Sequence, residues 1–144
     1  MYRIEKRFTF PMGHRLSKHE GRCHSIHGHN FTVLVGLKAE QLNADDMIID
    51  FSDLKSVAGA VLDTYDHKLL VNKNDASWMK PLAKELGLRA SIFDHEDHDP
   101  TAERLSEQIF LKLDEIFSSM FDHFVVEYVT VFENENSKAT YSRD

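Results

Sequence analysis

The chain has 144 residues, 42% hydrophobic and 28% charged, with a formal charge of −7. A length and composition of this kind suit one globular domain with a real core. The acidic balance, with no basic run, excludes the Lys/Arg footprint that nucleic acid requires. No run approaches the roughly 18 apolar residues of a membrane helix, and the N-terminus lacks the continuous apolar stretch of a signal peptide. A single cysteine forbids an internal disulfide and fits a reducing cytoplasm.

Residues 2 to 10 alternate, with Tyr2, Ile4, Phe8 and Phe10 on one face, and predict a strand that Pro11 and Gly13 interrupt or bend. A polar loop follows over residues 15 to 26. Phe31, Val33, Val35 and Leu37 mark the apolar face of a second strand that ends near Gln41. Asp50 is placed to cap a helix whose stripe is Phe51, Leu54, Ala58, Val61 and Tyr65. The segment from Lys68 to Asp99 is the least regular, with a short helix from about Ala76 to Leu86 closed by Gly87. Asp99-Pro100-Thr101 opens another helix, with Pro at or near its first turn and a stripe of Ala102, Leu105, Ile109, Leu113 and Ile116. Residues 124 to 133 read as a strand buried on both faces. A turn at Asn134 to Ser137 leads into a short strand from Lys138 to Tyr141. The expected architecture is α+β: a four-stranded antiparallel sheet with two main helices on one face, all within one domain spanning residues 1–144. Such a sheet leaves edges and a face uncovered, which predicts oligomerisation.

Of nine histidines, five fall between residues 14 and 29. In His27-Gly28-His29 the two imidazoles share one strand face, in phase with Phe31, Val33 and Val35. His14 ends the first strand in phase with Phe8 and Phe10, and a hairpin pairing would carry it to the other two. Three histidines with an open fourth position suit a catalytic zinc; an accidental HxH pair on a half-exposed strand is the alternative. Cys23 is a fourth ligand, an acid or base beside the metal, or an inert buried thiol. Asp66-His67 pairs a carboxylate with an imidazole and suits proton transfer, or it is a helix end satisfying free carbonyls. Glu133 closes a hydrophobic strand, where it either accepts two hydrogen bonds from a planar N–C–N edge or is a solvated strand end. His19 and His24 read as loop residues, and His123 has no assigned role. The run from Asp94 to Asp99 lacks an EF-hand spacing and reads as a solvated loop.

Six short motifs, in order, resemble the 6-pyruvoyltetrahydropterin synthase family, which includes the bacterial 6-carboxytetrahydropterin synthases. They are Phe10 to Leu16 (F-x-x-x-H-R-L), Cys23 to Phe31 (C-x3-H-G-H-N-[FY]), Asp50 to Lys55 (D-F-x-x-L-K), Asp66-His67, Pro100 to Glu103 (P-T-x-E) and Val129 to Glu133. The resemblance implies the tunnelling fold, in which trimers close a barrel and two trimers stack as a homohexamer. It implies zinc on His14, His27 and His29, proton transfer by Cys23 with Asp66 and His67 as relay partners, and a pterin anchor at Glu133. The implied substrate is 7,8-dihydroneopterin triphosphate. The short C-x3-H spacing resembles the branch that makes 6-carboxytetrahydropterin for queuosine. The alternatives are 6-pyruvoyltetrahydropterin formation with release of triphosphate, a non-catalytic pterin- or purine-binding homolog with a structural zinc, and a different zinc lyase or hydrolase. Three features depart from the family pattern: Pro11-Met12-Gly13 before His14, Asn134 after Glu133, and a long segment from about Val71 to Asp99.

Overall fold

The computed structural model describes residues 1–144. Strands β1 (Tyr2–His14) and β2 (His27–Ala39) pair antiparallel along their full length, with Tyr2 opposite Ala39 and His14 opposite His27. Helix α1 (Phe51–Leu62) follows, then strand β3 (Leu69–Val71), helix α2 (Ala76–Leu86) and strand β4 (Ala90–Ile92). Helix α3 (Ala102–Met120) leads into the closing hairpin of β5 (Val125–Asn134) and β6 (Ser137–Ser142).

The fold is α+β with helices over one sheet, but the sheet has six strands in the order β4-β3-β1-β2-β5-β6. The expected four antiparallel strands are its centre and one edge. The two extra strands, three residues each, pair parallel with β1 and with each other. Period-2 patterning needs more residues than three, so neither strand has a signature of its own.

The first strand also runs four residues past its expected end at Phe10. Along this edge of β1, Gly13 N–H donates to the Lys68 carbonyl and Arg15 N–H to Leu70. The nitrogen of Pro11 faces the same side, one step before β3 begins. The missing donor therefore removes no ladder bond, and proline is tolerated.

The helices begin and end where capping chemistry places them. The Asp50 carboxylate accepts from Ser52 N–H at 2.6 Å, and Thr101 Oγ1 accepts from Arg104 N–H at 3.3 Å. Thr101 is thus the cap of α3, and Pro100 lies one residue before it rather than in the first turn. Gly87 ends α2 with φ of 64°, a left-handed conformation that glycine adopts without Cβ strain. Leu54, Ala58, Val61 and Leu62 of α1 and Leu105, Ile109, Leu113 and Phe117 of α3 pack with Phe31, Val33, Val35, Leu37, Val129 and Val131 of the sheet. Each Leu, Ile, Val or Phe among them contributes about 1.5–3 kcal/mol by leaving water. Phe51, expected in the stripe of α1, lies at the first turn and is exposed, with the Lys6 ammonium 5.8 Å from its ring centre.

The opposite sheet face is polar. Arg3 pairs with Glu127 at 2.9 Å, Tyr128 donates to Glu5, and Thr130 and Thr140 share a 2.7 Å hydrogen bond. Strand β5 is correspondingly half-buried at Tyr128 and Phe132 rather than buried on both faces. No helix is long and apolar enough to cross a membrane.

Candidate metal centre

The β1–β2 register places His14 directly opposite His27 and Met12 opposite His29. Because side chains alternate across a strand, all three imidazoles emerge on the helix-covered face. Their ring centres lie 4.5 to 5.2 Å apart, and each offers a nitrogen within 4.8 Å of the other two. Gly28 permits the close pairing at this end. A Cβ there would sit 3.1 Å from the Met12 carbonyl oxygen, tighter than most real contacts.

Two hydrogen bonds define which nitrogen is free. His14 Nδ1 lies 2.8 Å from the Pro100 carbonyl, and His27 Nδ1 lies 2.8 Å from the Ser25 carbonyl. A carbonyl only accepts, so in both rings Nδ1 carries the proton and Nε2 presents a lone pair. Nε2 of His14, His27 and His29 are buried with no hydrogen-bond partner. Buried polar atoms without partners are rare in folded proteins, and three that converge fit a bound cation. Burial, with His27 and His29 beside it, holds the His14 imidazole down to about 4, although its bond to Pro100 acts in the opposite direction. The ring is neutral at ordinary pH, the state in which imidazole binds metal. Three nitrogens and an open position suit zinc.

Glu133, near the end of β5, reaches this centre from the neighbouring strand, with Oε1 3.8 Å from His14 Nε2. It also lines a cavity of about 670 Å³ with His29, Arg7, Thr9, Asn30 and Phe132. Arg7, Thr9, Asn30 and Phe132 lie on the polar sheet face, opposite the three imidazoles, so this cavity meets the centre only at His29 and Glu133.

Cys23 lies on a single 3-10 turn, Arg22–His24, and is half-buried. Its carbonyl accepts from Leu16 N–H at 3.0 Å. Its sulfur is not part of the three-histidine group, so the fourth-ligand arrangement does not occur in this structure. Asp66 and His67 follow α1. His67 Nδ1 lies 2.6 Å from Asp66 Oδ1, and its side chain is 67% exposed. His67 has φ of 57°, a left-handed conformation costly for a side chain with a Cβ. Its N–H donates to the Pro11 carbonyl at 2.8 Å, which helps to fix that conformation. No hydrogen bond joins Cys23 to Asp66, His67 or Glu133 within the chain.

Sequence reasoning missed the contribution of residues 72 to 99. Arg15 binds Asp75 at 2.6 Å and His24 at 2.9 Å, tying the end of β1 to α2 and to the cysteine turn. His95, Glu96 and Asp97 are exposed, as expected of a solvated loop, but Asp97 and Asp99 both accept from Asn72 and Asp99 is buried. Alternating Asp and His in the sequence carries no hint of these long-range partners.

A sequence model described as 6-pyruvoyl tetrahydropterin synthase matches residues 3–144. The chain belongs to this family. It is similar to the 6-carboxy-5,6,7,8-tetrahydropterin synthase of Rickettsia bellii, with 28% identity over 94% of this chain and 96% of that protein. The enzyme of the same description from Synechocystis sp. is 32% identical over 80% of this chain and 77% of its own length. The structure resembles that of Caenorhabditis elegans 6-pyruvoyl tetrahydropterin synthase, with a TM-score of 0.72, 25% identity, and coverage of 99% of this chain and 96% of that one.

Proposed function

We propose that the chain is a zinc-dependent 6-carboxytetrahydropterin synthase, a pterin lyase that acts on 7,8-dihydroneopterin triphosphate. The observation that carries this reading is the convergence of three buried, unpartnered imidazole nitrogens in a chain of this family. The relatives described as 6-carboxytetrahydropterin synthases, matched over most of their length, favour that product over 6-pyruvoyltetrahydropterin.

His14, His27 and His29 would hold zinc through Nε2. When bound, zinc supplies Lewis acidity that lowers the pKa of the substrate's side-chain hydroxyls. The Pro100 and Ser25 carbonyls keep the protons of His14 and His27 on Nδ1, so neither ring needs to reorganise to become a ligand. Glu133 accepts two N–H groups from the amino-pyrimidine edge of the pterin, a charge-assisted pair that fixes the ring's orientation. Cys23 removes a proton from the substrate side chain. Asp66 holds the Nδ1 proton of His67 at 2.6 Å, leaving Nε2 to take up or return a proton at the neighbouring carbon.

The relay is completed between chains in this reading, since no contact within one chain joins Cys23 to Asp66–His67. A homohexamer of stacked trimers brings such residues together and covers the free sheet edges. The reading treats residues 1–144 as one cytoplasmic pterin synthase domain with no nucleic-acid or membrane partner. Light scattering tests the assembly: an oligomer of at least three chains is expected, and a monodisperse monomer that turns over substrate would contradict a shared site. Turnover of dihydroneopterin triphosphate, with products identified by mass, tests the activity.

A further inference from the structure

Asn72 is fully buried and Asp99 is 7% exposed, yet neither belongs to the metal or proton-transfer groups described above. Asp99 Oδ1 accepts from Ser17 Oγ at 2.7 Å and from Asn72 Nδ2 at 3.0 Å, while Oδ2 accepts from Lys18 N–H at 2.8 Å. The same Asn72 amide donates to Asp97 Oδ1 at 2.8 Å. One asparagine thus ties two carboxylates to the end of β3, and one carboxylate grips the connection between β1 and β2.

Pro100 sits between two anchored neighbours. Asp99 before it is fixed by its side chain and accepts Thr101 N–H at its carbonyl, and Thr101 after it caps α3. The helix does not claim the Pro100 carbonyl, because Leu105 N–H bonds to Thr101 O. That carbonyl is left to accept from His14 Nδ1. Proline also fixes its own φ, so few ways remain for the oxygen to turn away.

We propose that Asp99 and Asn72 are positioning residues that set the zinc affinity of the three-histidine centre by aiming the Pro100 carbonyl at His14. The inference rests on the zinc reading above and extends it to the long segment between β3 and α3. A neutral imidazole has two tautomers, and only the Nδ1–H form leaves Nε2 free for metal. Loosening the carbonyl releases both the tautomer and the ring orientation. Loss of such outer partners weakens metal binding about 10–100-fold.

The test is Asp99→Asn in the full chain, which keeps the shape but turns one acceptor into an NH2 facing donors. Zinc affinity is measured by competition with a chromogenic chelator, and the His14 tautomer by 15N NMR of the metal-free protein. Wild-type His14 should be the Nδ1–H form. The variant should show a tautomer mixture and bind zinc about 10–100-fold more weakly. Ser17→Ala removes one donor and leaves the carboxylate, so it should show a smaller loss of the same kind. It serves as the deciding variant if Asp99→Asn does not fold. A folded variant with a lower melting temperature but unchanged affinity and tautomer overturns the inference and leaves the zinc reading standing. Weaker zinc binding with an unchanged His14 tautomer also overturns it. Wild-type protein that binds no zinc overturns the inference together with the reading beneath it.

Discussion

Glu133 Oε1 lies 3.8 Å from His14 Nε2, so the carboxylate near the end of β5 faces the imidazole that closes β1. The carboxylate and the metal-binding nitrogens therefore belong to one site. Glu133→Gln keeps the shape and removes the charge. Substrate binding should weaken by several-fold to a hundredfold, from the roughly 1.5–3 kcal/mol of a charge-assisted hydrogen bond. Zinc content should stay at the wild-type level. Loss of metal in this variant would make Glu133 a ligand and move the anchor elsewhere.

The three unpartnered nitrogens predict about one zinc per chain by elemental analysis. His27→Ala removes one of them and should lose most of the metal while keeping secondary structure by circular dichroism. Full zinc occupancy in that variant would remove the histidine cluster from consideration.

The buried His14 also predicts how the metal-free protein responds to acid. Its imidazole is held at about 4 against an ordinary 6.5, chiefly by burial. Between those values the unfolded chain binds a proton that the folded chain refuses, so stability falls as pH is lowered through this window and levels off below it. The difference is worth on the order of 3 kcal/mol when complete. Asp97 and Asp99, whose carboxyls sit below their usual range, act only at lower pH. Urea unfolding of chelator-treated protein should therefore give a lower stability at pH 4.5 than at pH 7. His14→Leu should lose much of that dependence. An equal slope in both proteins would assign the effect to other groups.

Much of the centre was legible because it depends on local rules. The alternation of Phe31, Val33 and Val35 sets the phase of His27 and His29, and a hairpin register then brings His14 opposite. Asp50 and Gly87 mark helix ends through chemistry confined to a turn. What stayed hidden depends on distant partners. Leu69–Val71 and Ala90–Ile92 become strands only because β1 offers a free edge to which β3 adds and β4 follows. The Asn72 bridge to Asp97 and Asp99 spans 25 and 27 residues and follows no periodic pattern. Pro11 read as a break because its tolerance rests on which edge of β1 its nitrogen faces.

Cys23 separates proton transfer from a purely structural cysteine. Cys23→Ala should cut turnover by about 10²–10⁴, the usual range for a positioned acid or base. It should keep its zinc, since the sulfur lies outside the three-histidine group. Substrate should also protect the wild-type thiol from iodoacetamide. A variant with both full zinc and full turnover would assign the proton to His67 or another group.

The most direct test is incubation of the zinc-loaded protein with 7,8-dihydroneopterin triphosphate, followed by mass identification of every product. The account predicts 6-carboxytetrahydropterin with acetaldehyde and triphosphate. Accumulation of 6-pyruvoyltetrahydropterin as the end product, or recovery of unchanged substrate, would contradict it.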